Sequence, residues 1–325
     1  MELNRADSKL ISADERRQVL ADFGVRTGGL LATGTEAEVY ALGESTILKL
    51  YAGAGRQAHL ETLKKLYENL DPSPSSLELP QIQQIVPYED LIAVIETRLE
   101  GVPLDNLLLG LQGEALERAE TLYLDAAWKL KDIVILEQPE TYLLFDEERL
   151  SDTSQGSFES FYAGFLAHKL ERVGRFFESL DPSFGDKSSA LVAAICKAPP
   201  APLALVHGDF FPGNLLVDQE LTRANGVIDF GSFTLFGNYL LDIAGAFGFY
   251  KMYDPDRKRI REQMLGRILR RLTEEERAGF FRFLLAHAIL TCDLYAQSPD
   301  PRQDDHFRWA AEIVSEDRYW REAIL

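Results

Sequence analysis

The 325-residue chain has little cysteine, and its two thiols, Cys196 and Cys292, stand far apart. They form neither a CxxC metal pair nor a disulfide framework, so both are expected to be ordinary buried thiols of a reducing compartment. Long apolar runs are lacking as well, since none reaches the roughly 20 residues that a membrane-spanning helix needs. The opening MELNRADSKLISADERR is charged where a secretion signal would carry an apolar core. Together these absences predict a cytoplasmic protein. Basic side chains are outnumbered, 34 against 52 acidic ones, and the net charge of −18 would repel a polyphosphate backbone. Neither nucleic acid nor a membrane is expected as a partner, and nothing bears on oligomeric state.

What is present is a well-supplied core: nearly half of the residues are apolar, and the length suits two lobes. Ser12 with Glu15 is a capping box opening a short helix from Ala13 to Phe23. Glycine-broken apolar runs then predict strands at Gly29 to Thr33, Glu38 to Leu42 and Thr46 to Tyr51. Leu60, Leu63, Leu66, Tyr67 and Leu70 fall at helical spacing, and two more strands follow at Ile82 to Val86 and Leu91 to Arg98. The expected fold is therefore α+β, with a five-stranded antiparallel sheet plus one helix in residues 1–98 and a connection at 99–104. Residues 105–325 form a larger, mainly helical part. Its helices are predicted at Glu114 to Leu136, Phe158 to Leu180, Lys187 to Ala198, Tyr239 to Met252, Pro255 to Arg271 and Glu274 to Tyr295, the last opened by Thr273 with Glu276. Between the third and fourth lies a small β island, with strands at Leu203 to Val206, Leu215 to Val217 and Gly226 to Ile228.

The island carries the chemistry. His207, Asp209 and Asn214 stand in H-x-D-x-x-x-x-N spacing, and Asp229 opens a DFG. Singly, these are residue types that serve as a packed histidine, a cap or a turn. Jointly they match phosphoryl transfer, which needs a carboxylate beside the attacking hydroxyl and oxygen ligands for Mg²⁺.

VHGDFFPGNLLV and GVIDFG resemble the catalytic loop and metal segment of the aminoglycoside phosphotransferase and choline kinase superfamily, a small-molecule branch of the protein-kinase-like, bilobal fold. The resemblance implies Asp209 as catalytic base, Asn214 and Asp229 as Mg²⁺ ligands, His207 as a loop-shaping residue and Asp242 as the tie between that loop and the next helix. Phe211 stands where protein kinases usually carry lysine, which favours the small-molecule branch over a protein kinase; a non-catalytic kinase-fold protein is the other alternative. GTEAEVYALGESTILKLY resembles the nucleotide loop, with Gly34 admitting the phosphates, Val39 covering the base and Lys49 reaching phosphate oxygens. Glu61, early in the next helix, is the candidate to hold Lys49. TRLEGVPL resembles the hinge, where main-chain groups from Glu96 to Leu99 would meet the base of ATP or GTP.

The acceptor is expected among the last helices. PDPRQDDHFRWAAEIV offers Asp304, Asp305 and Trp309 as acidic and aromatic groups for an amine. Residues 1–99 carry a net −5 and the remainder −13, so the acid excess favours a cationic small molecule. Aminoglycosides, choline-like amines, homoserine, methylthioribose and macrolides are all acceptors within the superfamily.

Overall fold

The computed structural model describes residues 11–25, 27–34, 37–146 and 149–324. Helix α1 (Ala13–Asp22) is capped as predicted, Ser12 Oγ accepting from the Glu15 amide at 3.2 Å. Strands β1 (Leu30–Thr33), β2 (Ala37–Ala41), β3 (Thr46–Ala52), β5 (Ile82–Pro87) and β6 (Leu91–Thr97) form the predicted antiparallel sheet in the order β1-β2-β3-β6-β5.

Because side chains alternate across a strand, the sheet sorts its residues into two sets. Tyr40, Leu48, Leu50, Leu91 and Ala93 pack with Val19 and Leu20 of α1 on the outer face. Ile92 and Val94 pack on the inner face with Leu60, Leu66 and Tyr67 of α2 (Gln57–Glu68). Lys49 lies opposite Val94 in the register and so belongs to this inner set.

Short pairings carry the chain from the sheet into the helical part. Strand β4 (Leu70–Asp71) pairs with β8 (Val134–Ile135), and β7 (Val102–Pro103) joins β10 (Leu215–Val217) and β11 (Ala224–Val227) in a three-stranded sheet. At Gly101, with φ +116°, a Cβ would come within 2.8 Å of the Val217 carbonyl, so only glycine fits this crossing. Strand β9 (Ala204–Val206) pairs with β12 (Leu235–Gly237), a strand the sequence pattern does not suggest.

The helices are α3 (Leu104–Leu108), α4 (Gly113–Lys129), α5 (Phe158–Glu178), α6 (Phe184–Cys196), α7 (Leu240–Phe249), α8 (Arg257–Leu269), α9 (Glu274–Thr291), α10 (Asp305–Val314) and α11 (Asp317–Ile324). Helix α4 stops earlier than the predicted Leu136. There the β-branched run Ile133, Val134, Ile135 leaves the helix for the pairing with β4. Thr273 and Glu276 close both hydrogen bonds of their capping box at the start of α9. Among the described residues no helix is long and apolar enough to cross a membrane.

Candidate active site

The chain enters the site from β9, whose three residues are buried. At its end the main chain is gripped by Asp242, in the first turn of α7. The His207 amide donates to Asp242 Oδ2 at 2.9 Å and the Gly208 amide to Oδ1 at 3.0 Å. Burial pushes the Asp242 carboxyl up to about 7, against the pull of those two donors, which favour its charged form. Gly208 sits at φ +79°, where a Cβ would lie 2.0 Å from the Phe233 carbonyl oxygen. The glycine of HGD is thus a steric requirement.

His207 is fully enclosed, and its ring is fixed by two opposite partners. Nε2 meets the Ile228 carbonyl at 2.8 Å and must donate there, while Nδ1 accepts from the Asp209 amide at 3.2 Å. That arrangement is the neutral tautomer, and burial lowers the ring's pKa in the same sense. The ring also packs on Phe230 at 4.5 Å, which in turn meets Tyr67 of α2 edge-on. His207 therefore joins the Asp209 loop to the Asp229 loop.

Asn214 closes the other side of the loop, its Nδ2 donating to the Asp209 carbonyl at 2.9 Å. Because that carbonyl can only accept, the amide nitrogen is committed and Oδ1 is the atom left for a cation. Asp229 has a left-handed φ of +65°, uncommon outside glycine, and projects an exposed carboxylate. A buried amide oxygen and a projecting carboxylate are hard donors that suit Mg²⁺, which takes few protein ligands and completes its shell with water and phosphate oxygens. The Asp209 carboxyl is raised to about 6, first by burial and then by the charge of Asp229.

Lys49 faces these groups from β3. Its Nζ lies 2.9 Å from Glu96 Oε1 and 3.9 Å from Asp229 Oδ1. Burial disfavours the ammonium, but Glu96 and Asp229 more than offset this and hold its pKa well above the usual lysine value. The expected partner Glu61 is exposed on α2 and takes no part. Position 96 lies on the same inner face as position 94, opposite Lys49, so the strand supplies the carboxylate that the helix was expected to bring. Glu96 thus contributes a side chain, where a main-chain role was anticipated. A single acid in the otherwise apolar LIAVIET was the available signal.

The rest of the anticipated hinge is partly committed. The Thr97 and Arg98 amides donate to the Gln81 and Ser45 carbonyls, which leaves Leu99 without a main-chain hydrogen bond among the described residues. Val39 pairs directly across from Lys49. Gly34 is exposed and donates to the Ala37 carbonyl at 2.9 Å; Thr35 and Glu36 of the same loop lie outside the described residues, as do the first ten residues of the chain.

In the C-terminal segment, Trp309 is 2% exposed and donates from Nε1 to the Gly248 carbonyl at 2.9 Å. It is a core residue of α10 and is closed to an acceptor, contrary to expectation. Asp305 is ion-paired with Arg308 at 2.8 Å, and Asp304 caps α10 by accepting from the His306 amide. Tyr253 and Tyr295 reach solvent nearby, and nothing in the sequence pattern singles them out.

Known proteins share the family and the fold. The phosphotransferase enzyme family, APH, matches residues 28–281. No significant match is found among curated protein sequences. The chain is similar in fold to a thermostable mutant of the aminoglycoside phosphotransferase APH(4)-Ia, with 19% identity and a TM-score of 0.66 over 94% of this chain and 98% of that one. It is similar too to a GDP complex of an aminoglycoside 2′-phosphotransferase-IIIa mutant, with 14% identity and a TM-score of 0.59 over 94% and 98%. A third, APH(3″)-Id from Streptomyces rimosus with ADP and streptomycin, gives 16% identity and a TM-score of 0.51 over 85% and 97%. With the match spanning the sheet, the His207 to Asn214 loop and most of the helices, the chain belongs to the phosphotransferase enzyme family.

Proposed function

We propose that this protein moves the γ-phosphoryl group of ATP or GTP to a hydroxyl of a small molecule, with Mg²⁺ held by Asn214 and Asp229. The observation that carries the reading is the loop braced by Asp242, His207 and Asn214, which holds Asp209 where the charge of Asp229 reaches it, with Lys49 3.9 Å from that same Asp229. Solved relatives hold ADP, ATP or GDP, which supports a nucleotide donor of either base.

The nucleotide would lie between residues 1–98 and residues 105–325, its base edge at the main chain of Leu99 in the 99–104 connection, beneath Val39, and its phosphates near Gly34 and Lys49. Asp209, with a pKa near 6, is ionised at neutral pH yet more basic than an ordinary carboxylate, so it can orient the acceptor hydroxyl and take its proton. Glu96 keeps the Lys49 ammonium charged and aimed at the phosphates, where it offsets the charge developing on the transferred group. Mg²⁺ bound there would supply further neutralisation of the phosphate oxygens. His207 stays neutral and holds the two acidic loops together. Positioning carries most of the rate, since phosphoryl transfer needs little covalent help from the protein.

The test is coupled release of ADP and GDP across aminoglycosides, macrolides, choline analogues, amino alcohols and sugars. Asp209→Asn should lower turnover by about 10²–10⁴-fold while the protein stays folded. A folded Asp209→Asn variant as fast as wild type would remove the proposed base.

A further inference from the structure

We propose that Tyr123 of α4 is a positioning residue, whose hydroxyl holds the peptide unit that follows Phe210 and so keeps Asp209 in place; this rests on the reading of Asp209 as catalytic base.

Tyr123 is fully enclosed. Its hydroxyl reaches two carbonyls on separate elements, Phe210 in the loop and Ala246 in the last turn of α7, each at 3.1 Å. A phenol has one hydrogen and a carbonyl only accepts, so the two carbonyls compete for it. Ala246 belongs to a helix. Phe210 lies in no helix or strand, and Tyr123 is the one hydrogen-bond donor to its carbonyl among the described residues. A buried carbonyl without a donor costs free energy, which favours the loop as the destination of that hydrogen.

Three main-chain groups around Asp209 are then held by three different side chains. His207 takes the Asp209 amide, Asn214 the Asp209 carbonyl and Tyr123 the Phe210 carbonyl. Because a peptide unit is planar, holding its carbonyl fixes the whole unit, so the two units that follow Asp209 are both pinned.

The rings brace the same place. Phe210 is fully buried, lies nearly parallel to Tyr123, with centroids 5.2 Å apart and planes at 6°, and meets His207 edge-on at 6.1 Å. Tyr250 also stacks on Tyr123, at 5.5 Å, and its hydroxyl donates to Glu120 of α4 at 3.1 Å. Glu120 is paired in turn with Arg267 of α8 at 3.2 Å. Burial, and after it Tyr250, Asp209 and Asp242, hold the Tyr123 phenol well above its usual pKa, so it keeps the hydrogen it donates. Being enclosed, Tyr123 offers no surface to a substrate, and its loss should fall on kcat rather than on KM.

The test compares Tyr123→Phe, which keeps the ring and both stacks, with Tyr142→Phe, which deletes another buried hydroxyl, the donor to the Gly156 carbonyl. The rates measured are hydrolysis of Mg-ATP, with water as acceptor, and transfer to the acceptors of the screen above. Tyr123→Phe should lower kcat about tenfold, keep the KM for Mg-ATP within about twofold, and speed amide hydrogen exchange of residues 207–214 about tenfold. Tyr142→Phe should leave all three as in wild type. In an Asp209→Asn background Tyr123→Phe should cost nothing further, since a brace has no effect once the group it places is gone. Equal losses of kcat in the two tyrosine variants, or the same tenfold loss in the Asp209→Asn background, mean general loosening and overturn the proposal. A Tyr123→Phe variant as fast as wild type, beside a slow Asp209→Asn, sinks this proposal alone. A fast Asp209→Asn, or no transfer to water or to any acceptor, sinks the reading of the base and this proposal with it.

Discussion

The loop from His207 to Asn214, with Lys49, and the C-terminal rim from Asp293 to Arg308 are both crowded with charge, yet they are built on opposite plans. Around the loop, Asp242, His207 and Lys49 are buried and each is tied to a distant part of the chain: Asp242 to two amides, His207 to Ile228, Lys49 to Glu96. At the rim, carboxylates are met by exposed cations, and Asp305 pairs within its own helix. Buried polar groups must be matched atom by atom, because an orphan costs several kcal/mol, whereas exposed pairs contribute ~0–1 kcal/mol. The first plan fixes residue identity and the second leaves it free.

The sharpest way to break this contrast is at Lys49. Glu96→Gln leaves a buried ammonium with Asp229, at 3.9 Å, as its remaining carboxylate and should cost about 3–5 kcal/mol of stability, read by denaturant unfolding. It should also raise nucleotide KM. A double variant, Lys49→Met with Glu96→Met, should regain most of the stability but no activity. Equal effects from Glu96→Gln and Glu61→Ala would erase the distinction between strand and helix carboxylates.

A second, smaller effect concerns pH. Burial and the charge of Asp229 raise the Asp209 pKa, so the protonated, inactive form accumulates as pH falls through about 6. kcat/KM should then drop about tenfold per unit below that value. An acid limb near the ordinary aspartate value of about 4 would mean that the loop is open to water.

The smallest effect belongs to the rim. Asp305→Asn removes one exposed pair and should shift the thermal midpoint by a degree or less, with acceptor KM within about twofold. A larger loss of stability would show that rim and loop are not built differently.

Much of the fold was legible because strand alternation and helix spacing report burial directly, and the HGD, Asn214 and DFG set stood out because few residue types suit the phosphoryl transfer proposed for it. The partner of Lys49 was misassigned because the resemblance pointed to a helix, while the register of Ile92, Val94 and Glu96 placed the acid on the lysine's own face. Trp309 misled for a similar reason. An aromatic residue suggested a binding face, although His306, Trp309, Ala310 and Ile313 follow the helical spacing of a buried stripe. Tyr253 lies between α7 and α8, where no periodicity marks a side chain, and Tyr295 lies beyond α9, which ends at Thr291, short of the expected Tyr295. The early stop of α4 came from pairing with β4, a long-range contact that local spacing does not encode.

Glu96 has one more consequence. Where a mobile helix must deliver the carboxylate, swinging that helix aside disarms the lysine, and the position of the helix becomes a throttle. Here lysine and carboxylate are neighbours on adjoining strands, locked together once the sheet has formed. If Lys49 grips phosphate as proposed, that grip is armed from the moment of folding. Output would follow the supply of nucleotide and acceptor, as suits a catalyst that has no need to wait for a signal.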